Sequence, residues 1–463
     1  MNTEVDEYFI HAEKATLDFS KYTQIEVDKI VEAVHLVGLE NRVKLAKMAA
    51  DETGIGKWED KVTKNILSTK YIYEDIKDLK TVGIISDNDG SGIIEIAQPI
   101  GPILAIVPST NPTSTVMFKI LIALKTRNPI IISLPRLAQN VCAYTAELLY
   151  KAALTAGAPK NCIQWIPNPS REKTQAFMSD QHLSLILATG GEGLVNAAYS
   201  SGTPALGVGP GNVPVFIDNT VDMNFAIEQI MMSKTFDNGT ICASEQAIIV
   251  QKENMQKALT ALKQHQAYMV PVCEMKALEE IVYDKKKEMM AGNIVGKSAN
   301  YIAKKAQLNV PEHVSLLVVK QTEVGKDYPF SSEILAPVIA LYEANDFQHT
   351  LEICSQLNQH GGKGHTASIF SNDEDKILEY SMKLNAGRII VNSPSAQGAV
   401  GGLYNNLSPS LTLGCGSGGK NSTTDNITAK HLLNIQRIAK PISKLVDKPI
   451  DELVTKSIVK KIA

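Results

Sequence analysis

The chain has 463 residues and a net charge of −3, from 46 Lys and Arg against 49 Asp and Glu. That length exceeds one compact core and sets an expectation of two to four domains. The near-neutral charge, with no basic block interleaved with aromatic residues, excludes a nucleic-acid partner. No apolar run approaches the ~20 residues of a membrane span. Glu4, Asp6 and Glu7 precede any apolar stretch, which is wrong for a secretory leader, so a soluble cytoplasmic protein is expected. Cysteines at 142, 162, 242, 273, 354 and 415 form no C-x-x-C pair and no disulfide framework, which fits a reducing compartment. No His, Cys and carboxylate set has metal-ligand spacing, so no metal is expected.

Residues 21 to 80 read as helical. Ile25, Val27, Ile30, Val31, Val34 and Val37 share about one face, and a second helix runs over Arg42 to Glu52 before the turn signal Gly54-Ile-Gly56. An antiparallel pair follows, around Gly83 and Gly92, joined by an Asp-Asn-Asp-Gly turn at 87 to 90. From Pro99 strands alternate with helices. The strands begin at Ile103, Pro129, Cys162, His182 and Val213, the helices at Thr113, Val141 and Ser170, and one more helix follows Thr189-Gly-Gly. The pattern then restarts: a helix over Asn224 to Met232, a strand at Ala247, a helix over Met255 to Gln264, a mostly helical stretch over 276 to 305, and strands at His313, Pro337, Thr366 and Gly387. Strands separated by ten or more helical residues imply crossover units and parallel, doubly wound sheets. Pro409 to Gly419 is Gly/Ser-rich and extended. Ile450, Leu453, Val454, Ile458, Val459 and Ile462 mark a terminal amphipathic helix. The fold class expected is α/β: two doubly wound domains plus a β-hairpin arm. The boundaries expected are 1–235 for cofactor binding, 236–404 for catalysis, 405–440 for a return segment and oligomerisation arm, and 441–463 for the tail.

Four segments sit at turns beside these elements: Ile106-Val-Pro-Ser-Thr-Asn-Pro-Thr, Ala188-Thr-Gly-Gly-Glu-Gly, Gly207-Val-Gly-Pro-Gly-Asn-Val-Pro and Phe236-Asp-Asn-Gly-Thr-Ile-Cys-Ala-Ser-Glu-Gln. Cys242 follows Asn238-Gly239, read as a flexible turn, and precedes a strand. A thiol at such a junction can be partly exposed near free backbone N–H groups. With Pro409-Ser-Leu-Thr-Leu-Gly-Cys-Gly-Ser, these segments resemble the CoA-acylating branch of the aldehyde dehydrogenase superfamily. The nearest likeness is to the aldehyde dehydrogenase half of bifunctional aldehyde–alcohol dehydrogenases. It runs from about residue 20 to 440, with no iron-dependent half expected in the chain. It implies the aldehyde dehydrogenase-like fold.

The resemblance implies that Cys242 adds to an aldehyde, that hydride leaves for a nicotinamide, and that an enzyme thioester results. It casts Asn111 and the Cys242 N–H as oxyanion donors; as a bare sequence feature Asn111 reads first as a turn residue before Pro112. Hydrolytic relatives carry a general-base Glu where this chain has Val208. That loss leaves the acyl group to coenzyme A as co-substrate. His365 matches a His common in the acylating branch and is cast either as an aid to CoA attack or as a loop-orienting group. No G-x-G-x-x-G fingerprint is present. The resemblance assigns NAD or NADP binding to Pro108, Ser109, Thr110, Pro135, Arg136, Thr189, Gly190, Gly191, Gly209, Glu333 and Leu335. An acidic residue usual after Leu134-Pro135-Arg136 is missing, which leaves NAD against NADP open. The expected substrate is a short aldehyde of the acetaldehyde or propionaldehyde type. Alternatives are hydrolysis to a free acid, a succinate-semialdehyde-type acylating enzyme, or a scaffold or cargo protein of a bacterial microcompartment docked through its tail. The hairpin near 83–97 and the segment near 409–418 are expected to form arms of a homodimer or homotetramer.

Overall fold

The computed structural model describes residues 3–88 and 92–440, and the expected tail helix at 441–463 lies outside them. Residues 89 and 90 of the 87–90 turn also fall there, but its flanks pair as expected. β1 (Gly83–Asn88) runs antiparallel to β2 (Ile93–Pro99). The arm's third strand is Leu433–Ala439, which pairs along the whole of β2. The segment expected in that role, 409–418, is instead largely buried within the chain. Its Ser410 N–H donates to the Val400 carbonyl, and its Gly414 carbonyl accepts from Arg388. Glycine and small residues there serve close backbone packing rather than an exposed edge.

The first parallel sheet holds β3 (Ile103–Ile106), β4 (Ile130–Ser133), β5 (Ile163–Ile166), β6 (Leu185–Thr189) and β7 (Ala205–Val208), in the order β5-β4-β3-β6-β7. Both faces are covered, so these strands are continuous apolar runs. Ile103, Ala105, Ile130 and Ile132 face a core built with the helices Gln24–Glu40, Pro112–Lys125 and Gln139–Thr155. Leu104, Ile106, Ile131 and Ile186 face a second core with Val5, Phe9 and Phe177. Val5 and Phe9 belong to a helix, Thr3–Phe19, that the sequence reading did not identify. Ile25, expected on the apolar face, is 81% exposed, while Val27, Ile30, Val31 and Val34 are buried.

The second sheet contains β8 (Val213–Ile217), β9 (Glu245–Gln251) and β10 (Ala267–Met269). A two-stranded hairpin, β11 (Tyr283–Asp284) and β12 (Met289–Met290), interrupts the stretch expected to be helical, between the helices Val272–Val282 and Ala299–Lys305. β13 (Leu316–Gln321), β14 (Val338–Ala344), β15 (Gly364–Phe370) and β16 (Ala386–Val391) complete the sheet, in the all-parallel order β10-β13-β14-β9-β8-β15-β16. Val213–Ile217 was expected as the fifth strand of the first sheet, but that place belongs to Ala205–Val208. β8 pairs with β9 and β15 instead, so the chain passes between sheets at 209–212, upstream of the boundary expected at 235.

This connection positions the site. β3 lies between β4 and β6, so the carboxyl ends of β3 and β6 flank a topological switch point, where α/β sheets bind ligands. The loop from β7 carries the chain to the amino end of β8, whose neighbours β9 and β15 begin just after Cys242 and at Gly364. The carboxyl edge of one sheet therefore faces the amino edge of the other.

Candidate active site

Cys242 occupies that seam, held by a turn with three successive left-handed residues: Asp237 (φ 48°), Asn238 (φ 53°) and Gly239 (φ 73°). The turn read as flexible is pinned. The Asp237 N–H donates to Asp60 at 2.7 Å, and Asn238 Nδ2 donates to the Gly296 carbonyl at 2.8 Å. Gly211, in the loop joining the sheets, lies so close that a Cβ there would collide with the Cys242 carbonyl. The Cys242 thiol is pushed up to about 12, first by burial and then by Glu333 and Cys415; Arg388 and its own backbone N–H pull the other way.

His365 is fully buried at the start of β15, with Nε2 3.2 Å from Cys242 Sγ. Its Nδ1 pairs with the Thr366 hydroxyl at 2.8 Å. Burial, then the Arg388 charge, lowers its pKa to about 3, so the imidazole is neutral. Arg388 accounts for the ring's placement: it donates to the carbonyls of His365, Gly414 and Thr424, tying β15 to the 409–424 segment. The geometry puts His365 on the sulfur and not merely in a loop.

Asn111 stands at the N-cap of the helix Pro112–Lys125, yet its side chain makes no cap bond. Its Oδ1 accepts from Lys64 Nζ at 2.6 Å, and its Nδ2 donates to the Thr110 hydroxyl at 3.2 Å. Lys64 also donates to Thr240 Oγ1 at 2.8 Å, two residues before Cys242, and so ties Asn111 to the Cys242 turn. Glu333 accepts from the Gly211 N–H at 2.8 Å, and burial raises it to about 7. Val208, the last residue of β7, lies in an apolar cluster with Ile241, Ala243 and Leu413 against which Cys242 packs.

The remaining expected positions lie along the facing edge. Pro108, Ser109 and Thr110 follow β3, and Pro135 and Arg136 follow β4, with the Arg136 side chain exposed. Thr189, Gly190 and Gly191 lead into the helix Glu192–Tyr199, whose N-cap, Gly191, supplies no side-chain cap and has open space where a Cβ would stand. Gly209 has the same open space. Uncapped amides and bare backbone at a switch point fit a nucleotide phosphate. Leu335 shares the Glu333 loop, but its backbone bonds Met290 and Gly296, so the structure gives it only a supporting place. Several residues that shape the site were not singled out in the sequence. Lys61, Lys64 and Arg388 carried no signal beyond being ordinary basic residues. Asp237, Thr240 and Cys415 fell inside quoted motifs without a role. Among the described residues no group of three or more His, Cys, Asp or Glu could hold a metal ion, and no helix is long and apolar enough to cross a membrane.

Fold and site together define an α/β protein with a cysteine thiol and a buried imidazole at the seam between two parallel sheets. The chain belongs to the aldehyde dehydrogenase family, whose family model matches residues 1–404. It is 44% identical over 431 residues to the bifunctional aldehyde–alcohol dehydrogenase of Escherichia coli, covering 92% of this chain and 48% of that protein. The chain thus spans about half the length of that relative. Among solved structures it resembles an acetylating aldehyde dehydrogenase from Geobacillus thermoglucosidasius (TM-score 0.93, 45% identity, 95% of this chain and 97% of that one). It also resembles a propionaldehyde dehydrogenase from Rhodopseudomonas palustris with bound CoA and an acylated cysteine (TM-score 0.85, 25% identity, 94% and 97% covered).

Proposed function

We propose that this chain oxidises a short neutral aldehyde to its acyl-CoA, reversibly, with NAD or NADP as hydride acceptor. One observation carries the reading: Cys242 Sγ stands 3.2 Å from His365 Nε2 while the position at the end of β7 is the buried, apolar Val208. In the first half, Cys242 sulfur bonds to the aldehyde carbon as its proton passes to His365 Nε2. Asn111 Nδ2 and the Cys242 N–H receive the oxyanion. A nicotinamide held in the facing cleft would accept the hydride, which leaves a Cys242 thioester, and His365 gives its proton to solvent. In the second half the CoA thiol bonds to the acyl carbon, its proton passes through His365 to the departing Cys242 sulfur, and acyl-CoA leaves. An apolar Val208 takes no proton from water, so transfer to CoA outruns hydrolysis; a positioned general base contributes typically about 10²–10⁴ in rate.

For the cofactor, Thr189 to Gly191, Gly209 and the loop 108–110 would cradle the diphosphate and nicotinamide half, with Glu333 at the ribose. Arg136, exposed and without an acidic neighbour after β4, leaves room for a 2′-phosphate. Residues before the 209–212 connection would form the cofactor domain and those after it the catalytic domain. A neutral aldehyde is favoured because the cluster around Cys242 is apolar and the nearby cations Lys61, Lys64 and Arg388 are committed to protein acceptors. Among the described residues β1 and Leu433–Ala439 are the outer strands of the arm, suited to pairing in a homodimer or homotetramer. The test is NAD(P) reduction with acetaldehyde or propionaldehyde, with and without CoA. Steady turnover is expected only with CoA, and equal rates without it would overturn the reading.

A further inference from the structure

Lys61 and Lys64 stand one turn apart on the helix Trp58–Ile66, 2% and 3% exposed. They share one carboxylate, Asp237, which Lys61 Nζ meets at 2.9 Å and Lys64 Nζ also contacts. A second carboxylate, Asp60, faces the group from the same helix and accepts the Asp237 N–H at 2.7 Å. Lys61 spends its remaining contact on the Thr110 carbonyl at 3.1 Å. Lys64 divides its three protons among Asp237, Thr240 and Asn111. An ammonium only donates, so the Asn111 atom facing it at 2.6 Å is the amide oxygen. The usual ambiguity of an amide's orientation is thereby removed. Nδ2 faces away, one hydrogen on Thr110 and the other unspent.

We propose that Lys64 is a positioning residue: it locks the Asn111 side chain so that Nδ2 faces the oxygen of the Cys242 adduct. The inference rests on Asn111 as an oxyanion donor. It explains why an N-cap asparagine leaves its own helix uncapped. It also explains why the nucleophile's turn adopts a left-handed Asp237: that conformation presents the carboxylate to both lysines while its N–H is held by Asp60.

Charged groups face Lys64 from each packed element: Lys61 and Asp60 on its own helix, and Asp237 on the turn. The Phe236 ring lies 5.6 Å away, and the loop after β3 contributes only neutral Thr110 and Asn111. Burial lowers Lys64 to about 8, Asp237 opposing and Lys61 assisting. A neutral amine can accept as well as donate, so the lock loosens as pH rises past that value.

The experiment reads the pre-steady-state burst of reduced nicotinamide, at saturating NAD and varied aldehyde, in Lys64→Met, Asn111→Ala and the double variant. Asn111→Ala should slow the burst ~10²–10³-fold, as loss of an oxyanion donor does. Lys64→Met should slow it by at least tenfold, with little change in aldehyde KM. The double variant should be no slower than Asn111→Ala alone, and the wild-type decline above pH 8 should vanish in Lys64→Met. Losses that multiply in the double variant, or an alkaline limb that survives in Lys64→Met, overturn the proposal. An unaffected Asn111→Ala would instead overturn the donor reading beneath it. If Lys64→Met fails to fold, Lys64→Gln keeps a donor without a titrating charge; it must lose the alkaline limb, and retaining it refutes the proposal.

Discussion

The resting state of Cys242 can be tested by alkylation. With its thiol at about 12, the thiolate fraction at pH 8 is ~10⁻⁴, against about one quarter for an ordinary thiol near 8.5. Iodoacetamide, in the absence of aldehyde and CoA, should therefore label Cys242 on the order of 10³-fold more slowly than an exposed thiol. Cys273 is exposed and supplies the internal comparison. The neighbouring imidazole does not rescue the thiolate, because His365 lies at about 3. Burial disfavours charge on both groups, so the resting pair is thiol and neutral imidazole. Mass spectrometry of the two labelled peptides across pH 6 to 9.5 gives the profile. The Cys242 rate should climb about tenfold per pH unit with no plateau. A plateau between pH 6 and 7 would reveal a preformed thiolate–imidazolium pair and refute this account of the site's electrostatics.

Cys242→Ala should abolish CoA-dependent turnover while cofactor binding, measured by fluorescence titration, persists. His365→Ala should lower kcat by about 10²–10⁴, the range for a lost proton-transfer group, with the alkylation profile of Cys242 little changed. Gly211→Ala would drive a Cβ into the Cys242 carbonyl and to 3.3 Å from His365 Nδ1. Activity should fall at least tenfold, and wild-type kcat in that variant would contradict the close approach. Val208→Glu places a carboxyl where the base is missing; NADH formation without CoA should rise from background, and no rise would mean that water cannot reach the thioester from that side. Glu245 has its carboxyl raised by burial to about 7. The folded chain thus keeps a proton that the unfolded chain releases near 4.5, so stability falls as pH rises from 4.5 through 7. Glu245→Gln should raise Tm at pH 8.5 and leave it near the wild-type value at pH 5; equal shifts at both would refute the assignment.

Legibility followed the kind of signal each feature leaves. Apolar runs buried on both faces marked β3, β4 and β6 because nothing else keeps such a run in solution. Ala205–Val208 escaped because its Leu-Gly-Val stretch merges into the Gly-Pro-Gly connection, and its neighbour Val213–Ile217, a stronger run, took its place. Which sheet a strand joins depends on pairing far along the chain, and periodicity carries none of that. The same holds for 409–418, whose glycines read as an exposed arm but admit close contact with β15 and Arg388. At the candidate site, the motifs singled out Cys242, Asn111, His365 and Glu333, and the structure places Cys242 beside His365. Lys61, Lys64 and Arg388 were not singled out, since a lysine or arginine in sequence looks solvated until the fold buries it beside an acceptor.

Those buried cations change how the site is understood. Cys242, His365 and Glu333 sit in an environment that penalises charge on each: the thiol and the carboxyl are raised and the imidazole is lowered. An enzyme that must carry an acyl group until a second substrate arrives gains from that penalty, because a charged, wet seam would also activate water. What charge the site does hold is placed behind backbone and amide groups, Arg388 on the carbonyls of His365 and Gly414 and Lys64 on Asn111. There it can orient donors toward an oxygen that becomes negative only during reaction. On the proposed reading, burial against Val208 and fixed dipoles at Asn111 are two halves of one arrangement: the first would leave water without a base, and the second would favour addition of the sulfur.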